Sequence, residues 1–423
     1  MNQLILHNQK LRQLIEQEAL DLTDHLVDLD NIDLVLRECL SIEEMREAGS
    51  FFTGQKLATA AIKKFEVAIT QDSVVLDPTC GSGNLLVECS RVLGVEKTLS
   101  KTLQKWGEVL HGFDIHISFI EATKLRLILE ALSRGVEKDC SVDEAVSLLK
   151  GIELKDALKV KKIELQSVTH VLMNPPFMLC DSPVKYYWKP GKMNAAGIFF
   201  DYYLRVLPKN CFIVAILPDV LRSGTRYSMF RDFCSLSMSA STQVWGRFNA
   251  KTNVDVFLLY GKLISGENEK VIEWQVNLGD YEKLSDKFDV CTGPLVAYRD
   301  LELGIEYPYF HSKNTPAWEV VTEINETRKF KGTVISPPFI LVKRTSSPSN
   351  KYRATATIVN LKTMVAVENH LIVIKPKNNS LLECKKLMRV LRSEKTNNFL
   401  NKRIRLRHLT VQVIKDIPLK DAF

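Results

Sequence analysis

The run Val171-Leu172-Met173-Asn174-Pro175-Pro176-Phe177 carries an apolar strand straight into a rigid polar corner. Proline fixes its own φ and has no amide hydrogen, so two in succession stop the strand and leave neighbouring carbonyl oxygens without ladder partners. The side-chain oxygen of Asn174 and the main-chain oxygen of Pro175 can then receive both hydrogens of one planar amino group. Phe177 adds an aromatic face beside them. Such a set suits an exocyclic amine on a flat heterocycle, for example the amino group of adenine. Asn-Pro is also an ordinary turn signal, so the tetrad by itself leaves a plain turn open.

A second chemical stretch lies upstream. In Ser73-Val74-Val75-Leu76-Asp77-Pro78-Thr79-Cys80-Gly81-Ser82-Gly83-Asn84 a short β-rich run ends in an acid and a glycine turn, and an amphipathic helix follows. This is the order of a first strand, loop and helix in a doubly wound sheet, where ligands lie beyond the carboxyl ends of strands. Gly81 and Gly83 let the backbone approach a ligand closely. The string lacks the third glycine of the dinucleotide fingerprint and the Gly-Lys-Ser/Thr of a Walker loop. The next strand ends at Gly112-Phe113-Asp114-Ile115, where an acid can accept hydrogen bonds from both hydroxyls of a ribose. A lone Asp at a strand end also serves as a helix cap. Before both, Gly49-Ser50-Phe51-Phe52-Thr53-Gly54 breaks a helical pattern and leads into a helix beginning near Gln55. That helix start can receive a carboxylate, or it is a loop capped by Thr53.

On these residues the chain resembles the amino-methylating family of S-adenosylmethionine-dependent methyltransferases. The family's tetrad reads Asn, Asp or Ser, then Pro, Pro and an aromatic, and its cofactor motif reads Asp-Pro-x-x-Gly-Ser-Gly. The order of motifs is similar to the gamma class of adenine-N6 DNA methyltransferases: the Phe-Phe-Thr-Gly segment, the cofactor loop, the tetrad and a long basic tail. The resemblance spans about residues 49 to 262. It implies an α/β class I methyltransferase fold, Rossmann-like, with a doubly wound, mostly parallel seven-stranded sheet, a helical N-terminal cap and a basic C-terminal recognition domain. It also implies that S-adenosyl-L-methionine binds among Phe51, Phe52, Thr53, Asp77, Thr79, Gly81, Gly83, Asn84, Asp114, Ile115 and Asp156. Asp114 would hold the adenosyl ribose and Asp156 the cofactor's adenine amino group. Asn174, Pro175, Pro176 and Phe177 would be catalytic, with Phe177 stacked on an adenine rotated out of double-stranded DNA. Restriction-modification is the implied setting, with a restriction nuclease or specificity subunit as candidate partner. The residues leave open an RNA, cytosine-amino or protein-glutamine methyltransferase, or a DNA-binding partner subunit without activity of its own.

The elements that must position these groups follow from patterning. A chain of 423 residues is long enough for two or three domains at roughly 100 to 200 residues each. The expected division is 1–48 as a helical cap, 49–262 as the catalytic domain, 263–326 as a linker or the start of a second domain, and 327–423 as a basic target-recognition domain. Helices are predicted from about Ser118 to Ala131 and Ala195 to Leu207, and strands at Cys211-Pro218 and Val254-Tyr260. The segment from Gly135 to Lys150 does not resolve into a pattern. Ser336-Pro337-Pro338-Phe339 repeats the tetrad's form, but no glycine-acid loop precedes it at sheet spacing, so it reads as a turn before a β-run at Ile340-Arg344.

Charge is unevenly placed. Residues 327–423 hold 21 Lys plus Arg against 5 Asp plus Glu, leaving −9 on the preceding 326 residues of a chain whose net charge is +7. A whole-domain excess of this kind faces a polyanion, and nucleic acid leads. The alternation in Lys402-Arg403-Ile404-Arg405-Leu406-Arg407-His408 predicts one half-buried strand with a phosphate-facing side. Lys185-Tyr186-Tyr187-Trp188-Lys189 interleaves cations and aromatics, either to stack on a nucleic-acid strand or to pack in the core. Nine scattered cysteines without a Cys-x-x-Cys pair fit a reducing compartment and no structural metal. The first ten residues lack a secretory pattern and no apolar run is long enough to span a bilayer. A soluble, cytoplasmic protein without a membrane partner is expected.

Overall fold

The computed structural model describes residues 2–17, 53–248, 254–264, 272–275 and 281–419. The chain divides into two compact units, Met1–Trp274 and Gln275–Phe423. Most of the expected helical cap, and Phe51 and Phe52 with it, lie outside the described residues.

In the first unit, α1 (Asn2–Glu16) and α2 (Gln55–Ile62) precede β1 (Val75–Asp77), α3 (Asn84–Ser90), α4 (Leu99–Val109), β2 (Leu110–Asp114), α5 (Ile117–Ser133), α6 (Val142–Leu148) and β3 (Ile152–Leu154). After β4 (His170–Met173) come a small hairpin, β5 (Leu179–Asp181) and β6 (Lys192–Asn194), then α7 (Ala195–Val206) and β7 (Phe212–Pro218). The unit continues through α8 (Asp219–Ser223), α9 (Ser228–Ser237), β8 (Met238–Arg247) and β9 (Asp255–Leu263). Seven strands form one sheet in the order β3-β2-β1-β4-β7-β9-β8. β3, β2, β1, β4 and β7 run parallel, and β9 runs antiparallel to both its neighbours. The chain leaves β1 toward one edge and returns at β4 toward the other, so the order reverses between these two strands. In open α/β sheets that reversal opens a crevice at the strands' carboxyl ends.

Burial explains the central strands. Every residue of β1 and β4 is buried, as a parallel strand covered on both faces requires. The segment without a pattern holds α6, which starts at a capping box: Ser141 accepts from the Glu144 amide while Glu144 accepts from the Ser141 amide. No strand was expected at β8, a Ser- and Thr-rich run. It forms because β9, buried from Val256 to Leu259, offers a long partner, and a bulge between Val244 and Gly246 takes up the mismatch. Helix α1 is tied to α5 by Asn8 Nδ2 donating to Ser118 O (2.9 Å) and by Arg12 Nε on Glu121 (2.7 Å).

The second unit has its own core. It runs through α10 (Leu284–Lys287), β10 (Phe288–Thr292), β11 (Ile305–Phe310), β12 (Val320–Val321), β13 (Thr327–Phe330), β14 (Phe339–Lys343), β15 (Ala356–Val359), β16 (Ala366–Val367), β17 (Leu371–Pro376), α11 (Leu381–Leu391), α12 (Glu394–Arg403) and α13 (Val411–Lys415). A five-stranded sheet has the order β10-β17-β14-β15-β12, and β13-β11-β16 form a second sheet. The expected boundaries at 262 and 326 differ from the observed one. β10, inside the stretch read as linker or domain start, pairs with β17 from Phe288↔Pro376 to Thr292↔Ile372, so residues after Gln275 belong to the second body.

The expected strand at residues 402–408 is corrected. Helix α12 continues to Arg403, and the following residues are irregular, with a single bridge between Thr345 and His408. Arg353, fully buried, takes the place of a ladder: its guanidinium donates to Ile404 O (3.0 Å), Leu406 O (2.6 Å) and Asn401 Oδ1 (2.8 Å), and Nε donates to Ser346 Oγ (3.0 Å). Arg353→Met would strand those acceptors at a cost of about 1–3 kcal/mol each. Hydrogen exchange should therefore quicken in β14, β17 and α12, with β1 and β4 unchanged; unaltered protection in the second unit would show that the arginine does not hold this segment.

Candidate active site

Asp77 ends β1, Asp114 ends β2, and Asn174 follows β4 by one residue. The three strands are neighbours, so their polar ends converge on one side of the sheet. A cavity of about 220 Å³ lies there, lined by Thr53, Asp77, Thr79, Gly81, Asn84, Asp114, Ile115, Asp156, Asn174 and Pro176 among the residues singled out in the sequence. Gly83, Pro175 and Phe177 do not line it. The remaining lining is Pro78, Cys80, Leu85, Phe113, His116, Phe119, Lys155, Ala157 and Phe199. Most of these flank motif residues in the chain. Phe119 on α5 and Phe199 on α7 carry no local signal and arrive only by packing.

The glycine loop is shaped by close approach. Gly81 and Gly83 adopt φ of 54° and 82°, and a Cβ on Gly83 would stand 2.6 Å from Thr123 Cγ2. Thr123 Oγ1 donates to Gly81 O (2.8 Å), and Cys80 N donates to Phe113 O (2.9 Å), which ties the loop to β2. Thr53 is not the helix cap: Gly54 occupies that position. Its hydroxyl instead accepts from Asn174 Nδ2 (3.0 Å), and its carbonyl accepts from Asn84 Nδ2 (2.7 Å). With Nδ2 on Thr53, the acceptor end of the Asn174 amide is turned the other way.

The acids differ in their surroundings. Asp77 is almost fully buried, and burial first, then the nearby Asp114 charge, push its carboxyl up to about 8, against one opposing hydrogen bond from the Thr79 amide (3.1 Å). Burial also raises the Asp114 carboxyl, while the His116 amide bound to its Oδ1 (2.8 Å) pulls the other way. A pocket holding two such carboxyls favours a cationic or hydroxyl-rich guest. Asp156 is half-exposed, accepting from Leu158 N (3.0 Å) and pairing with Lys159 (3.1 Å). Thr79 Oγ1 is buried without a hydrogen-bond partner among the described residues.

The tetrad is braced from behind. The Phe177 carbonyl accepts from Asn194 Nδ2 (3.0 Å), while Asn194 Oδ1 caps α7 at Ala196 N (3.1 Å). The Phe177 ring packs edge-on against Phe248, 5.5 Å between centroids. Within the cation-aromatic stretch, Tyr187 donates to Asp201 (2.5 Å) and Trp188 is buried, whereas Tyr186 is 63% exposed beneath the Arg205 guanidinium (3.8 Å). Two of the three aromatics therefore serve packing. Among the described residues no His, Cys, Asp and Glu cluster could hold a metal ion, and no helix is long and apolar enough to cross a membrane.

Residues 34–198 match the family described as N-6 DNA Methylase. No curated protein matches the sequence significantly. Among solved structures, the chain is similar to the type IIL restriction-modification enzyme MmeI in complex with DNA, at 13% identity and a TM-score of 0.48 over 92% of this chain and 67% of that one. It is also similar to the type IIG restriction endonuclease BpuSI, at 14% identity and a TM-score of 0.46 over 92% of this chain and 60% of that one. A modification subunit of a putative type I restriction enzyme from Vibrio vulnificus YJ016 aligns at 13% identity and a TM-score of 0.40, over 58% of this chain and 52% of that one. The chain thus spans only 60% and 52% of the lengths of the last two.

The raised Asp77 carboxyl carries a pH signature. A carboxyl that is protonated more readily when folded than when unfolded stabilises the fold fully below the unfolded value of 3.8 and loses that contribution as pH rises toward about 8. Denaturation of wild type and Asp77→Asn across this window should show the variant gaining relative stability as pH rises, by up to a few kcal/mol. A constant difference between the two would mean that Asp77 is ionised in the folded protein throughout.

Proposed function

We propose, from the premise that residues 34–198 belong to the N-6 DNA methylase family, that this chain transfers a methyl group from S-adenosylmethionine to the exocyclic amino nitrogen of adenine in DNA. One observation supports this reading above the rest: the glycine loop, the two strand-end acids and Asn174 share a single cavity, with Asn174 Nδ2 on the Thr53 hydroxyl.

The donor set suits the cofactor. Gly81 lines the cavity while Gly83, which has no room for a Cβ beside Thr123, keeps the loop tight against α5; the buried Thr79 hydroxyl offers an unused hydrogen-bonding group, and Asp114 offers acceptors to two ribose hydroxyls. Phe113, with Lys155 Nζ 5.0 Å from its ring centroid, gives a flat surface for an adenine, beside Asp156. When bound, S-adenosylmethionine supplies an electrophilic methyl on a cationic sulfur. The rest falls to this chain. The adenine nitrogen is a poor nucleophile because its lone pair is delocalised into the ring. Asn174 Oδ1 and Pro175 O, accepting its two hydrogens, favour a more tetrahedral nitrogen with the lone pair aimed along the transfer path. This is catalysis by positioning and electrostatics, without a strong base. The proton leaves to water once the nitrogen is positive. The base has to leave the duplex to reach the cavity, at a cost of roughly a few kcal/mol.

The basic second unit is the part we assign to target recognition, through exposed cations such as Lys402 and Arg407 near the phosphates. Restriction-modification in the cytoplasm, with a nuclease or specificity subunit as partner, is the setting that this reading carries.

Nucleoside mass spectrometry on methyl-free DNA and RNA, incubated with the protein and S-adenosylmethionine, tests the substrate. Methyladenine in DNA is the expected product, and methylcytosine or modified RNA would move the substrate. Asn174→Ala should lose turnover by roughly 100-fold or more with cofactor affinity nearly intact; equal loss of both would remove Asn174 from catalysis. Asp114→Ala should instead weaken cofactor binding in calorimetry, and an unchanged Kd would exclude its ribose role.

A further inference from the structure

We infer that Arg126 of α5 is a positioning residue for Asn174, acting through Asn84 and Thr53. This rests on the methyl-transfer reading for its meaning in catalysis, though not for its geometry. Arg126 is 1% exposed and lies outside every motif read in the sequence. Its Nη1 donates to Asn84 Oδ1 (2.6 Å) and to the carbonyl of Ser82 in the glycine loop (2.6 Å). Asn84 Nδ2 then donates to Thr53 O (2.7 Å), and Thr53 Oγ1 accepts from Asn174 Nδ2 (3.0 Å). Four separate stretches of chain are joined in one line: α5, the start of α3, the segment leading into α2, and the residue after β4.

The physical content is polarity. A carboxamide has an acceptor end and a donor end of nearly the same shape, and only its partners decide which way it faces. A guanidinium, which keeps its charge at any working pH, admits only the oxygen of Asn84. The amide nitrogen must then face Thr53 O. The reversed amide would set two carbonyl-type oxygens against each other and an NH₂ group against a cation. Thr53 is thereby held where its hydroxyl meets the Asn174 amide (3.0 Å to Nδ2), which fixes the place of that side chain at the end of the line. The same arginine grips the Ser82 carbonyl, so the cofactor loop and the acceptor of the tetrad are set by one charge.

Selective ¹⁵N labelling of asparagine side chains reads this directly, with the Asn174 amide pair identified by its loss in Asn174→Ser. Arg126→Met should shift the Asn84 and Asn174 amide signals. It should lower kcat for DNA methylation by roughly 100-fold, as for a misplaced reacting group, with a smaller change in KM for S-adenosylmethionine. Arg126→Lys should recover part of the rate. Thr53→Val combined with Arg126→Met should be no slower than the slower single variant, since both break one line. Where Arg126→Met fails to fold, Asn84→Asp serves, because it keeps the partner of Arg126 and loses the donor to Thr53. An Asn174 signal unmoved in either variant, or additive losses in the double variant, overturns the relay. The spectral readout needs no methylation, so an inactive wild type would count against the methyl-transfer reading and leave this test standing.

Discussion

A strand buried on both faces can present polar chemistry only where it ends. β1 and β4 are such strands, and because they lie side by side and parallel, Asp77 and Asn174 emerge at the same edge of the sheet. β2 adds Asp114 from the other side of β1. The loop geometry, the cavity and the hydrogen bonds of Thr53 all follow from this alignment. Shifting one strand by a residue would move its polar end off the cavity and send each apolar side chain to the opposite covered face, into packing shaped for its neighbour.

Within that frame, the site is held by neutral hydrogen bonds at the tetrad and carries desolvated acids beside the glycine loop. The two regions make different demands. Asn174 is joined through Thr53 and Asn84 to the buried charge of Arg126. Asp77 and Asp114 need a guest, since burial holds both carboxyls above their ordinary values. A cation entering beside them would relieve the cost of ionising them, which couples the charge of a ligand to the protonation of the pocket.

The second unit uses a buried charge in another way. Arg353 replaces a strand ladder, satisfying the carbonyls of a segment whose side chains alternate like a strand but whose backbone follows the end of α12. Part of the unit's basic excess is therefore structural: Arg353 is internal, Arg328 pairs with Glu302, and Arg403 pairs with Asp416. Only the exposed remainder is placed to meet a polyanion.

The apolar runs, the glycine turn and the proline pair are local features, and local chain stiffness and burial periodicity suffice to produce them. The strand ends at Asp77, Asp114 and Asn174, and the helices at α5 and α7, were accordingly legible along the chain. β8 was not, because an edge strand of polar residues forms only against a partner already in place. The alternation at residues 402–408 misled for the complementary reason: a period of two describes side chains, while the ladder depends on which groups the backbone finds, and there it found Arg353. Thr53 as a clasp on Asn174, Phe119 and Phe199 in the cavity wall, and Arg126 behind the glycine loop are contacts between residues distant in sequence. The sequence by itself determined which polar groups stand at the strand ends. Tertiary structure alone decided which way each amide faces and how far each acid is desolvated, because orientation and desolvation depend on neighbours that no local stretch contains.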